Sequence, residues 1–311
     1  MALNGLTGVN PEPIIQSVID EGLRIDALMN ILTYSPIGVR TGINNIVASV
    51  VITDTDEGEN RAIGKDVTNT DNAENEVINL NLKSIAKGFT VDSITNKGFG
   101  SGTSNKFNAK QIMAATAAVK KTFNRDFISG DTATNPAQFD GLVKYFSKNA
   151  GQLEDALASA ALDRDTAINI EAYINKLVNK LDGKPTFIIT TREGKGMLQT
   201  LASLQNRGIH YIKVDELEYE TYKGIAIIDR PDADFPSTEL AKGIPLYLGV
   251  VDENNGIFVA TPESGNGLHV VIPTDTNNTT GVLVNKGAVE IISVPVIESP
   301  YCVSGGYVNF Q

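Results

Sequence analysis

"NPAQFDGLVKYF", residues 135–146, sets an exposed Asn-Pro turn against a buried-looking Phe-Asp-Gly-Leu step in the middle of the chain. It carries no obvious reactive group. An apolar turn at such a place has to be explained by what lies on either side of it.

Upstream, "NAKQIMAATAAVKKTFNRDF" (108–127) is the clearest helix. Ile112, Val119, Phe123 and Phe127 share one face at spacings of 7, 4 and 4, while Lys110, Lys121 and Asn124 fall on the other. The alanine run favours helix, Asn108 or Ser104 fits as its cap, and Gly130-Asp131 breaks it. It reads as a long helix laid across a sheet, with "GFGSG" (98–102) as a flexible lead.

Downstream, "LEDALASAAL" (153–162) and "DTAINIEAYINKLVNKL" (165–181) read as helices, the second ending near Asp182-Gly183 with Pro185 beyond. "TFIITT" (186–191) is a short buried strand, "GKGMLQTLASLQNRG" (194–208) a helix closed by Gly208, and "GIAIID" (224–229) and "PLYLGVV" (245–251) further strands. Residues 151–255 thus form a mixed α/β unit. The tail from Gly256 is nearly all β, with turns at 264–267 and 277–278.

Towards the N-terminus, Pro11 and Pro13 precede an apolar pattern that starts a helix near Glu12. Strands follow at 44–52 and where Ile78, Leu80 and Leu82 alternate with polar residues. Between them, "TDTDEGENRAIGKDVTNTDNAENE" (53–76) holds eight acidic and two basic side chains, with Ala62, Ile63, Val67 and Ala73 as its apolar residues. Such a segment cannot pack on its own subunit. It is either a disordered acidic loop or a long hairpin arm ordered by a neighbouring molecule.

Composition narrows the function classes. A formal charge of −11 argues against a nucleic-acid grip, which needs a basic surface. One cysteine and two histidines supply neither an intrachain disulfide nor a Cys/His zinc cluster, and fit a reducing cytoplasm. The N-terminus lacks the features of a signal peptide, and no apolar run is long enough to span a membrane.

Each catalytic idea fails on its residues. "GFGSG" has no strand-turn-helix unit around it, and for "EGKGM" (193–197) the phosphate-loop pattern is broken by Ile189, where its first glycine is needed, and by Gly196 in place of Ser or Thr. His210 and His269 sit apart in strand-like contexts, Asp163 and Asp165 suit a helix N-terminus, and Cys302 has no charged neighbour to activate it. The expectation is no enzyme, no catalytic or metal site, and no cofactor.

The order of the pieces carries a resemblance. A helical arm, a long polar hairpin, an alternating strand, a long helix ending in "FNRDFISGD", then "NPAQFDGL", an α/β unit and a late β region resemble a major capsid protein of tailed double-stranded DNA bacteriophages, with the Hong Kong 97 fold. Asp126, Phe127-Ile128, Gly130-Asp131, Pro136 and Gly141-Leu142 match the segment after that family's spine helix. "PTFIITTREGKGMLQTL", "YKGIAIIDRPD" and "LYLGVVDENNGIFVAT" are similar to strands and a helix of its axial domain and of the return to its peripheral domain. The resemblance spans about residues 40–311 and rests on the conjunction of motifs.

What the resemblance implies is an α+β fold. It comprises an N-terminal arm (1–50), an extended loop (51–83), a peripheral domain (84–150 and 256–294, spine helix 108–127) and an axial domain (151–255 and 295–311). Phe139 and Leu142 would anchor the turn, with Gly141 permitting its tight backbone and Pro136 beside them. Asp54, Glu57, Glu59, Arg61, Lys65 and Asp66 would act in assembly, the loop lying over the adjacent subunit. Function would be structural: hexamers and pentamers closing an icosahedral shell around double-stranded DNA held without sequence-specific binding. Lys110 and Lys121 would moderate repulsion at the inner wall.

Further partners would be a portal protein, a decoration protein and a separate scaffolding protein if there is one, with no membrane. Location would be the virion capsid, assembled in the host bacterial cytoplasm. Lys65 is the one lysine inside the arm and no partner for it can be named, so covalent crosslinking is not expected. The rival readings are an encapsulin-type nanocompartment, a monomeric surface or adhesion protein, and an enzyme on the α/β unit.

Overall fold

The computed structural model describes residues 26–36, 46–54, 63, 74–92, 100–159, 162–205, 207–214, 217–253, 255–262, 268–271 and 284–310. In chain order the first half comprises α1 (Ala27–Ile31), β1 (Tyr34–Ser35), β2 (Ile46–Asp54), β3 (Glu74–Asn81), β4 (Lys83–Asp92), α2 (Gly100–Ser129), α3 (Leu142–Lys148), β5 (Leu157–Ser159) and α4 (Arg164–Asn179). The second half comprises β6 (Phe187–Thr191), α5 (Arg192–Leu204), β7 (His210–Val214), β8 (Leu217–Tyr222), β9 (Ile225–Arg230), α6 (Ser237–Leu240), β10 (Ile244–Gly249), β11 (Ile257–Ala260), β12 (Leu268–Val271), β13 (Val284–Ile297) and β14 (Val303–Phe310).

β6 ("FIITT") and β10 ("IPLYLG") are buried at every position, as strands covered on both faces are. They lie inside a seven-stranded sheet of order β5-β14-β10-β6-β9-β8-β7. Side chains alternate between two cores, as strand geometry requires. Ile188, Leu246 and Leu248 face α4 and α5, together with Ile174, Leu177, Leu198 and Leu201. Phe187, Ile189 and Tyr247 face the other way and join Phe123, Phe127, Phe139 and Phe146 of the α2–α3 region.

A second sheet is built on β13, whose 14 residues pair antiparallel with β4, β12 and β11 in turn; β1 adds parallel to β11. Helix α2 lies across β4 and β13, with Ile112, Val119, Phe123 and Phe127 buried and Lys110 and Lys121 exposed. The long helix across a sheet is thus as expected. Its extent is not: the helix covers 30 residues and begins at Gly100, so "GFGSG" ends inside it, and Ser104 and Asn108 are interior residues rather than caps. Once a helix is nucleated, each further residue adds a hydrogen bond at little cost, so weak formers can be recruited.

Asn124 corrects the polar-face assignment, because it is fully buried. Near its C-terminus α2 is enclosed on more than one side, with Phe123, Asn124, Asp126, Phe127 and Ile128 all buried. Residues 153–159 are a second correction: a 3-10 turn at Ala150–Gln152 leads into extended chain and β5. Here pairing overrides alanine's helix propensity, a weak prior. Glu154 N–H donates to the Gly305 carbonyl at 2.8 Å, and Leu157, Ala158 and Ser159 register with Val308, Asn309 and Phe310. Helix α5 also stops at Leu204, short of Gly208.

The helix expected from Glu12 and the turns at 264–267 and 277–278 lie outside the described residues.

Phe123 is fully buried, its ring centroid 5.6 Å from that of Phe139 and 6.3 Å from that of Phe127. Phe123→Ala is expected to cost about 3–5 kcal/mol, read as a lowered urea midpoint with unchanged slope.

Candidate functional site

The end of α2 and the returning segment 139–142 meet backbone to backbone. Gly130 N–H donates to the Asp126 carbonyl at 2.8 Å, and Gly141 N–H donates to the Gly130 carbonyl at 2.9 Å. A Cβ on Gly130 would stand 2.3 Å from the Phe139 carbonyl oxygen, and one on Gly141 would stand 2.5 Å from that of Asp126. Gly141 has an ordinary φ of −91°. Its missing side chain, rather than a left-handed conformation, is what the site uses.

Around this contact, Phe139 and Leu142 are both 2 % exposed. Pro136 is exposed, and its carbonyl accepts from Lys83 Nζ at 2.7 Å, tying the turn to the start of β4. The structure therefore brings Pro136, Phe139, Gly141 and Leu142 together. It adds Asp140, which the sequence did not single out, and gives Asp131 its partners. Asp140 accepts from Thr132 N–H (2.9 Å), Thr132 Oγ1 (2.6 Å) and Lys148 Nζ (2.8 Å). Asp131 accepts from Ala133 N–H at 3.0 Å and pairs with Lys144 at 3.0 Å.

The Asp140 and Asp126 carboxyls are tuned in opposite senses. Partial burial works against the Asp140 carboxylate, but the bonds from Lys148 and Thr132 outweigh it and hold its pKa at about 2. Burial raises that of Asp126, offset in part by hydrogen bonds from Arg125 and Gln138.

A second cluster ties α1 to the body. Asp26 caps α1 by accepting from Leu28 and Met29 N–H at 3.2 and 3.1 Å, and also accepts from Asn124 Nδ2 at 2.7 Å. Arg230, bonded to Asp234 at 3.0 and 2.8 Å, approaches Asp26 at 3.8 Å. Asn30 Nδ2 donates to the Val214 carbonyl and to the Tyr219 hydroxyl, which donates to the Ala27 carbonyl. Residues 26–36 therefore run from the edge of the larger sheet, past α2, into the smaller sheet at β1. The sequence signal for this strap was a polar residue, Asn124, next to a core-facing Phe.

The hairpin is present in its base. β2 and β3 pair antiparallel from Ile46↔Asn81 to Ile52↔Asn75, with an irregularity before Asp54↔Glu74. Among the described residues they form a two-stranded ribbon joined to neither larger sheet. Asp54 ends β2; Glu57, Glu59, Arg61, Lys65 and Asp66 lie outside the described residues.

The groups tested for chemistry have structural surroundings. Cys302 is 1 % exposed and burial pushes its thiol up to about 12. Asp163 Oδ1 accepts from Thr166 N–H at 2.8 Å at the start of α4. "EGKGM" lies within α5, where Thr191 Oγ1 caps Gly194 N–H at 3.1 Å. The buried Tyr307 hydroxyl donates to Glu239, which Lys242 holds at 2.9 and 3.0 Å. Among the described residues no group of three or more His, Cys, Asp or Glu is placed to hold a metal ion, and no helix is long and apolar enough to cross a membrane.

Gly141→Ala must push backbone against backbone, and is expected to cost about 3 kcal/mol, measured by urea denaturation. The depressed Asp140 pKa stabilises the fold fully above the ordinary carboxylate range, and that stability is lost as pH falls towards about 2. Denaturation midpoints of wild type and Asp140→Asn are expected to differ above about pH 4 and to converge on acidification; a constant difference would remove the carboxylate's role.

No family model matches the chain, and no curated protein is similar to it in sequence. Solved structures do match. The holo-SrpI encapsulin complex from Synechococcus elongatus PCC 7942 superposes with a TM-score of 0.60 at 12 % identity, covering 98 % of this chain and 90 % of that one. A structure from Gordonia phage Cozz gives 0.51 at 17 % identity, covering 90 % and 85 %. A virus-like particle from Pyrococcus furiosus gives 0.51 at 9 % identity, covering 94 % and 97 %. The chain has the Hong Kong 97-like capsid fold.

Proposed function

We propose that this chain is a major capsid protein that assembles into hexamers and pentamers and closes an icosahedral shell around double-stranded DNA. The observation that carries the reading is the β2–β3 ribbon. β2, "IVASVVITD", is nine residues long and largely apolar, yet among the described residues it hydrogen-bonds to one partner strand. A two-stranded ribbon is marginal alone in water and gains stability when its apolar side chains are covered. A neighbouring copy is the partner that a shell provides.

On this reading the ribbon and the acidic segment beyond it form the extended loop. Asp54, Glu57, Glu59, Arg61, Lys65 and Asp66 meet charges on the adjacent subunit. The smaller sheet with α2 is the peripheral domain, and the larger sheet the axial domain. Pro136, Phe139, Gly141 and Leu142 hold the spine helix at a set angle to the rest, so that quasi-equivalent contacts adjust in the arm rather than in the core. The net charge of −11 suits a container that should not trap its DNA, with Lys110 and Lys121 easing repulsion at the inner wall. Assembly takes place in the host bacterial cytoplasm, with a portal protein, a decoration protein and any scaffold supplied as separate chains, and the finished location is the virion.

The match to an encapsulin complex supports a second reading, a nanocompartment shell around a protein cargo. Particle contents separate the two: nuclease-protected DNA for the capsid, a co-purifying protein for the compartment.

Expressed with its neighbouring genes, the chain is expected to form closed shells visible by negative-stain electron microscopy. Replacing residues 55–73 with a two-residue turn is expected to leave folded subunits, with unchanged helical circular dichroism, that form no shells. Wild-type chain that remains single subunits, or a shortened chain that still closes shells, would refute the arm's role.

A further inference from the structure

The seven-stranded sheet ends in two unlike edges. At one, β7 pairs, among the described residues, with β8 alone, and its outward face carries Tyr211 and Lys213 while Ile212 and Val214 turn towards the core. Tyr211 is 58 % exposed and Ile209, just before the strand, 43 %. At the other edge, β5 and α4 enclose a groove of about 410 Å³ lined by Leu157, Ala158, Ala172 and Tyr173 along with Thr166, Asn169 and Lys176. Ile168, one helical turn from Ala172, is 66 % exposed.

The charges match as well. Lys213 on the first edge and Asp155, two residues before β5, are both exposed and form no ion pair among the described residues. Lys176 inside the groove is already bonded to Glu154.

We propose that Ile209 and Tyr211 of one copy seat in the β5–α4 groove of the next, with Lys213 meeting Asp155. The inference rests on the shell reading above and names the contact between subunits within one capsomer. The two surfaces differ, so the contact is heterologous and runs head to tail, the type that closes into rings. An exposed aromatic entering an apolar groove with a polar contact at its rim has the anatomy of an interface anchor.

Cysteine pairing tests the contact in the assembled particle. The native Cys302 is buried and does not interfere. With Tyr211→Cys and Ala158→Cys on one chain, mild oxidation of assembled particles is expected to give a ladder of disulfide-linked oligomers in denaturing gels. Each single variant is expected to give none, and a mixture of the two to give linked dimers. As a second measurement, Lys213→Asp and Asp155→Lys are each expected to lower the yield of particles about tenfold, and their combination to restore it. Particles that form normally without a ladder, and a charge pair that fails to restore, would overturn this contact and leave the shell reading standing. Wild-type chain that does not assemble would overturn both.

Discussion

The backbone contact between Gly130 and Gly141 is the constraint on which the rest of the subunit depends. The spine helix ends at Ser129, and the chain must return beneath it to start α3 and the larger sheet. It does so through the Gly141 N–H bond to the Gly130 carbonyl, in a space where any Cβ would overlap main-chain atoms. Backbone cannot yield as a flexible side chain can, so close packing of main chain on main chain constrains how the helix meets the returning segment. Phe139 and Leu142 are buried in the core there, the Phe139 ring tilted at 59° to that of Phe123.

A rigid joint of this kind matters if one subunit shape is repeated many times, since small angular errors would accumulate around a shell. The strap at residues 26–36 works to the same end by hydrogen-bonding to the larger sheet's β7–β8 edge, to Asn124 and to β11. The core that faces α2 runs without interruption from Phe89 and Val289 of the smaller sheet to Phe187 and Tyr247 of the larger. Among the described residues the β2–β3 ribbon is hydrogen-bonded into neither large sheet.

Much of this was legible in the sequence because the relevant signals are local. The 7-4-4 spacing on α2, the buried runs at β6 and β10, and the strand patterns on either side of the acidic segment state their own periods. What was not legible depended on partners far along the chain. "LEDALAS" is alanine-rich and reads as helix, yet β14, some 150 residues later, pairs with part of it as a strand. Asn124 looks like a surface residue until Asp26, 98 residues earlier, is placed beside it. Asp126, Gly130, Pro136, Phe139, Gly141 and Leu142 could be named from sequence, but the backbone approach at Gly130 and Gly141 and the role of Asp140 could not, because composition does not record a close approach.

A cryo-electron microscopy reconstruction of the assembled particle tests the central claim most directly. The account predicts that the β2–β3 ribbon extends over an adjacent copy, with density for residues 55–73 resting on that neighbour, while the 130–141 joint keeps the same angle in every subunit environment. A ribbon folded back onto its own α2, or a joint that opens differently between pentamers and hexamers, would contradict it.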